Sequence, residues 1–268
     1  MKNVEENVKM SENKRPIAVI DSGVGGISVL NHLLRQLPKE DFVYFGDTAN
    51  APYGSKSTDE VLSLTLDNIK MLEKEYFVKA VVIACNTATG AAATECRELF
   101  SHMPIIGIEP AIKPAVTKSG KEAPNVLVMA TPLTLSQEKF VNLAEKYNPN
   151  ANLIPLPCDG LAQIIESGAD EKKVNELLEK LLAGINCENI DAVVLGCTHY
   201  PLISECISKS FVKADIYDGG LGTALQTKRR LCEEGLLEEG DECGKLTIIN
   251  SAGDPNFEIF ADRYIQRF

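Results

Sequence analysis

The sequence has no apolar run approaching the roughly 20 residues that cross a bilayer. Its opening stretch, MKNVEENVKMSENKRP, contains no apolar segment of the signal-peptide kind. The expected setting is therefore cytoplasmic, with no membrane partner, and residues 1–14 are expected to form a disordered polar lead-in. Histidine is scarce (His32, His102 and His199), and neither H-E-x-x-H nor C-x-x-C occurs. That disfavours catalytic and structural zinc, so no metal is expected. In a reducing compartment the cysteines are expected to be mainly free thiols. Basic charge is short as well: 27 Lys and Arg against 38 Asp and Glu leave a net charge of −11. An acidic balance speaks against nucleic acid or an anionic membrane as partner. It leaves small ligands open, because a local pocket can oppose the net sign. What the chain has in ordinary measure is core-forming material, 44% hydrophobic against 24% charged over 268 residues. That suffices for one large domain or two of modest size.

Apolar strand-like runs alternate with helix-period segments along most of the chain. Strands are expected at Ile17–Ile20, Phe42–Phe45, Val78–Ala84 and Ile105–Ile108. Between them fall a helix over 26–36 and a helix opened by a capping box at Ser57 and Glu60, with Leu62, Leu66, Ile69 and Leu72 on one face. A third helix is expected over 91–103. The pattern then restarts with strand Val126–Ala130, a second capping box at Thr134 and Gln137, and a helix over 137–147 stopped by Asn148-Pro149. Strand Leu153–Leu156, helices over 161–166 and 171–185, and strand Ala192–Leu195 follow. Strands Asp215–Tyr217 and Leu246–Asn250, a helix over 223–234 and a final helix from Asn256 complete the chain. Such alternation implies right-handed crossovers and mainly parallel sheets, so the expected class is α/β.

Two stretches nearly repeat each other. VVIACNTATG (Val81–Gly90) and VVLGCTHYPL (Val193–Leu202) each run from an apolar strand into a cysteine and then small polar residues. IAVIDS (Ile17–Ser22) aligns with VLVMAT (Val126–Thr131) at nearly the same offset. The repeats point to two similar α/β domains of about 100 residues each facing one another across a cleft. Cys85, Cys197 and the DSG at Asp21–Gly23 all fall at carboxyl ends of strands, where open α/β sheets bind ligands.

The plain reading of any free cysteine is buried filler. Cys85 and Cys197 differ from the others in standing ahead of a helix N-terminus, where backbone N–H groups favour a thiolate. Two thiols on opposite sides of one carbon suit stereoinversion, one removing a proton and the other delivering one to the opposite face. Asp21 could orient a proton beside one thiol and His199 beside the other. Glu166 reads either as a surface carboxylate or as a partner of His199. DSGVGG fits neither the dinucleotide nor the P-loop fingerprint. GDTANAPYGSKS (Gly46–Ser57), holding Asp47, Tyr53, Gly54 and Ser55, reads either as a ligand-contacting loop or as a plain turn.

DSGVGG, GDT followed by PYG, ACNTA and LGCTHYPL occur in that order. On these motifs the chain, from Ile17 to its end, resembles the glutamate racemases of the cofactor-independent Asp/Glu racemase superfamily. The resemblance implies two flavodoxin-like α/β domains with the active site in the cleft between them. It implies interconversion of L- and D-glutamate without a cofactor, in the service of peptidoglycan synthesis. It makes Cys85 and Cys197 the paired acid/base thiols, Cys85 acting on D-glutamate and Cys197 on L-glutamate. Asp21 would assist the first, and His199 with Glu166 the second. The substrate-binding pairs fall on Asp21-Ser22, Tyr53-Gly54, Asn86-Thr87 and Thr198-His199, with Thr131 as a further match. The resemblance also implies that the C-terminal strand and helix return to the first domain. The boundaries are then 15–111 with 222–268 for one domain and 112–221 for the other, in a homodimer.

The chain departs from the family pattern in three places. Ala49-Asn50-Ala51 stands where many relatives carry an arginine, Asp218-Gly219-Gly220 where a serine is common, and Thr131–Thr134 varies the usual Gly-Thr form. An aspartate racemase is the nearest rival. One methylene separates the substrates, worth only about 1–3 kcal/mol in a simple pocket, and the motif set alone favours glutamate. A non-catalytic amino-acid-binding protein would also have two lobes, but paired cleft thiols serve it no purpose. A pyridoxal-phosphate enzyme would need a Schiff-base lysine, and no lysine stands in the strand-end motifs.

Overall fold

The computed structural model describes residues 12–265. The first half runs β1 (Ile17–Asp21), α1 (Ile27–Gln36), β2 (Phe42–Gly46), α2 (Thr58–Tyr76), β3 (Ala80–Ile83), α3 (Asn86–Leu99) and β4 (Ile105–Gly107). The second runs α4 (Ile112–Lys118), β5 (Asn125–Ala130), α5 (Pro132–Ser136), α6 (Glu138–Tyr147), β6 (Asn152–Pro157), α7 (Leu161–Glu166), α8 (Glu171–Leu182), β7 (Ala192–Leu195), α9 (Ser204–Ser210) and β8 (Asp215–Asp218). The chain then adds α10 (Gly220–Glu233), β9 (Leu246–Asn250) and α11 (Phe257–Asp262).

Two sheets result, ordered β4-β3-β1-β2-β9 and β6-β5-β7-β8, and every pairing in both is parallel. Leaving β9 aside, each half follows one plan: its second strand lies outside the first, then come the third and the fourth. The alignment of Ile17 with Val126 and of Val81 with Val193 thus corresponds to equivalent strands, β1 with β5 and β3 with β7. β9 lies beyond β2, with Leu246 opposite Phe42, so the end of the chain joins the first sheet.

Alternation along each strand sends side chains to opposite faces, and both faces are covered by helices. In β1, Ala18 and Ile20 enter one apolar cluster and Ile17 and Val19 the other. In β5, Leu127 and Met129 divide from Val126 and Val128 in the same way. Among the described residues no helix is long and apolar enough to cross a membrane.

Several local expectations are corrected. Most of the lead-in lies outside the described residues, but Glu12–Lys14 form a short 3-10 turn rather than a disordered segment. The buried Lys79 ammonium anchors that turn by donating to the Asn13 carbonyl, while pairing with Glu40 at 2.5 Å. The buried line of α2 is Val61, Thr65, Ile69 and Leu72, so Ile69 and Leu72 stand as expected while Leu62 and Leu66 pack only partly buried at its edge. Thr65 is tolerated there because its hydroxyl donates to the Val61 carbonyl at 2.7 Å. The capping box at Ser57 and Glu60 is present, with both reciprocal bonds.

The box expected at Thr134 and Gln137 does not form. Thr131 caps α5 instead, and the Gln137 amide turns away to the first half. Helix α3 begins at Asn86 rather than near Ala91, because Cys85 is itself the N-cap. Helices α4, α5 and α9 lie outside the helices that periodicity predicts. In α4 the inner proline, Pro114, falls in the first turn, where its missing N–H costs little.

Candidate active site

The strands place the two cysteines equivalently. Cys85 follows β3, and Cys197 follows β7, each separated from its strand by one small residue (Ala84 and Gly196). Both are buried and both line one cavity of about 280 Å³ between the two halves. Ser22, Tyr53, Gly54, Asn86 and Thr87 line it from the first half. Thr131, Glu166, Thr198 and His199 line it from the second. Asp21, 3% exposed, is tied to the lining residue Thr198, so the two cysteines, their expected helpers and the expected substrate-binding pairs converge on one place.

The Cys85 side is built on a helix start. Cys85 Sγ accepts from the Ala88 N–H at 3.5 Å, leaving the neighbouring first-turn amides of α3 near the cavity. The Asn86 amide is buried, and neither its Nδ2 nor its Oδ1 finds a partner among the described residues. A buried amide without partners is costly unless a ligand completes it. Thr87 Oγ1 lies 3.1 Å from Thr131 Oγ1 and 3.0 Å from Thr134 Oγ1, three hydroxyls shared across the cleft. Tyr53 donates to buried Asp47 at 2.5 Å, and Asn68 donates to both at 3.2 Å. Asp47 thus fixes the Tyr53–Gly54 turn against the cavity, and Ser55 remains outside, donating to the Pro52 carbonyl.

The Cys197 side is built from side chains. His199 Nδ1 lies 3.8 Å from Cys197 Sγ, and its Nε2 lies 2.5 Å from Glu166 Oε2. Glu166 also accepts from the Val24 N–H through both oxygens, at 3.1 and 2.9 Å. Glu166 is therefore the partner of His199. The glycines of DSGVGG make this approach feasible. A Cβ at Gly23 would stand 2.3 Å from Glu166 Oε2, and one at Gly25 would stand 2.4 Å from His199 Nδ1. Asp21 joins the halves too, accepting from Thr198 Oγ1 and from the Gly23 N–H, each at 3.0 Å.

The electrostatics differ between the sides. Burial pushes Asp21 up to about 6. Burial, with the Asp21 charge added, pushes the Cys85 thiol well above its usual range. Burial opposes charge on His199, but hydrogen bonds to Cys197 and Glu166 prevail and hold the ring well above its ordinary value. Burial likewise opposes charge on Glu166, and the His199 bond prevails there too, holding the carboxyl below its usual value. One side presents a protonated thiol beside a carboxylate, the other a sulfur beside an imidazolium. Among the described residues no lysine or arginine lines the cavity.

Sequence reasoning missed Cys158, Asp159 and Gln163, which line the cavity from the turn after β6 and from α7. Their signal was the duplication: a strand end in the second half equivalent to the one that opens GDTANAPYGSKS. Among the described residues no group of His, Cys, Asp and Glu is gathered as a metal site.

The chain is similar to known proteins over most of its length. Residues 17–225 match the family model Asp/Glu/Hydantoin racemase. A glutamate racemase of Clostridium acetobutylicum is 48% identical over 246 residues, covering 91% of this chain and 95% of that one. One from Clostridium botulinum is 47% identical, covering 96% and 99%. The crystal structure of glutamate racemase from Francisella tularensis, in complex with D-glutamate, superposes with a TM-score of 0.81 at 31% identity, covering 95% of each chain. The chain belongs to the Asp/Glu/Hydantoin racemase family, and within it to the glutamate racemases.

Proposed function

We propose that this chain interconverts L- and D-glutamate by a cofactor-independent, two-thiol mechanism, with Cys85 and Cys197 acting on opposite faces of the α-carbon. The observation that carries the reading is the placement of both cysteines at equivalent strand ends on one cavity. The D-glutamate complex of the Francisella relative supports the substrate.

In each direction one sulfur, as thiolate, takes the α-proton, and the C–H electron pair passes into the carbanion and its α-carboxylate. The opposite thiol returns a proton to the other face, so the two sulfurs exchange protonation states and no atom is lost. Cys85 serves as base toward D-glutamate and Cys197 toward L-glutamate. With Asp21 ionised, Cys85 rests as the loaded acid. His199, held charged by Glu166, answers the charge that develops at Cys197. The two substrate carboxylates meet no Lys or Arg. Neutral groups hold them: the Asn86 amide, the Ser22, Thr87 and Thr131 hydroxyls, the Thr198 backbone N–H, and the amides of the Tyr53–Gly54 turn and of the α3 N-terminus.

Helix α4 packs on β5, β7 and β8, and α10 on α1, β3 and β4. That supports domains of 15–111 with 222–268 and of 112–221. The product would feed peptidoglycan synthesis in the cytoplasm, and the active form is a homodimer.

Incubation with L-glutamate in D2O, without added cofactor, should yield α-deuterated D-glutamate. Folded protein giving neither exchange nor a change in optical rotation would overturn the reading. L-aspartate in a parallel circular-dichroism assay should turn over far more slowly.

A further inference from the structure

Flanking the cavity, two sets of bonds join the two halves, one on each side. On the Cys197 side these are Asp21 with Thr198, Glu166 with the Val24 N–H, and Ser28 Oγ donating to the Thr198 carbonyl at 2.9 Å. Each involves a residue of the proposed reaction or a direct neighbour of one. On the Cys85 side the hydroxyls of Thr87, Thr131 and Thr134 meet, and behind them stands Gln137, which does not line that cavity.

Gln137 sits at the junction of α5 and α6 in the second half and is 8% exposed. Its Nε2 reaches into the first half and donates to the Thr87 carbonyl at 3.0 Å. Its Oε1 rests where a Cβ on Gly90 would stand 1.7 Å away, so the glycine leaves a slot on α3 that this amide fills. The bond falls on the first turn of α3, whose N-cap is Cys85, and the slot on the turn that follows.

We propose that Gln137 is a positioning residue for Cys85: seated in the Gly90 slot, it ties the α5–α6 junction to the first turn of α3 and sets where the Cys85 sulfur stands. The proposal rests on the two-thiol reading above. Gln137 touches neither substrate nor sulfur, and it acts through Thr87 and the helix start. A displacement near 1 Å at a reacting group can cost on the order of a hundredfold, and loosening one of several ties costs less.

The test compares Gln137→Ala, Gly90→Ala and the double variant in D2O, following deuterium in recovered substrate as well as in product. In Gly90→Ala the new methyl evicts only the far end of a flexible side chain, and alanine suits a helix interior. Each single variant should lower kcat about tenfold with KM changed less than about twofold. The double variant should be no slower than either single. Starting from the enantiomer that Cys197 deprotonates, the carbanion waits longer for Cys85. Deuterium in recovered substrate should then rise relative to product. Starting from the other enantiomer, abstraction by Cys85 and its return of a proton are both slowed, so the carbanion passes on to product and deuterium in recovered substrate should fall relative to product. Wild-type kcat in both single variants overturns the proposal, as does a fall in which substrate and product labels keep their wild-type ratio from both enantiomers. Wild-type protein that labels neither enantiomer would overturn the two-thiol reading instead.

Discussion

The surroundings of Cys85 and Cys197 share a plan and differ in how they supply charge. Each sulfur leaves a central parallel strand, separated from it by one small residue, and reaches the same cavity. Around Cys85 the helpers are a helix start, an unpartnered amide, a cluster of hydroxyls and one buried carboxylate. Around Cys197 they form a relay of sulfur, imidazole and carboxylate, closed by a backbone N–H. The positions are symmetric, and the helpers diverge. Such divergence is tolerable because the two sulfurs alternate between acid and base, and each needs its own means of holding a proton.

Removing either thiol tests the shared plan and carries the largest expected effect. Cys85→Ser and Cys197→Ser should each lower racemisation by about 10³-fold or more, read by circular dichroism of glutamate. Full turnover in either would break the pairing.

The pH dependence of stability tests the carboxylate on the Cys85 side. Asp21 sits at about 6 in the folded protein, above its ordinary 3.8, so the folded state binds this proton more tightly than the unfolded one. Its contribution is complete below about pH 4 and is lost as pH rises through about 6. Asp21→Asn keeps an acceptor for the Gly23 N–H and removes the buried charge. Urea unfolding should show the variant gaining about 3 kcal/mol relative to wild type between pH 4 and pH 8. A difference that does not change with pH would contradict the assignment.

A smaller effect separates the two sides directly. Glu166→Gln removes the carboxylate that keeps His199 charged, so the alkaline limb of kcat/KM should move to lower pH, with activity at neutral pH down about tenfold. Asp21→Asn should leave that limb in place. The smallest effect compares two helix caps. Ser57→Ala, on the exposed capping box of α2, should cost about 1 kcal/mol of stability with kcat unchanged. Thr131→Ala, at the cap of α5, should cost a similar amount and raise KM as well, because that hydroxyl lines the cavity.

Much of this was readable from residues because parallel α/β halves write their plan as apolar runs. Both sheets, the strand ends and the two thiols follow from Val- and Ile-rich stretches and from the near-repeat around them. The resemblance supplied Ser22, Tyr53, Gly54 and the other cavity contacts. What periodicity could not supply is where small polar residues go helical. Asn86–Thr89 lack an apolar face, so α3 was expected to begin later, although Cys85 caps it directly. Long-range bonds were equally hidden. Gln137 looked like half of a local capping box, and its amide instead crosses to Thr87 in the other half. Glu166 was ambiguous in sequence because its partners, His199 and the Val24 N–H, are far from it along the chain.

The central claim is that the two sulfurs serve opposite faces of one carbon, and isotope exchange in the single-cysteine variants tests it most directly. Each variant would be incubated in D2O with L-glutamate and, separately, with D-glutamate, and the recovered substrate examined for α-deuterium. Cys85→Ser should retain exchange into L-glutamate only, and Cys197→Ser into D-glutamate only. Exchange into the same enantiomer by both variants, or into both enantiomers by either one, would contradict the account.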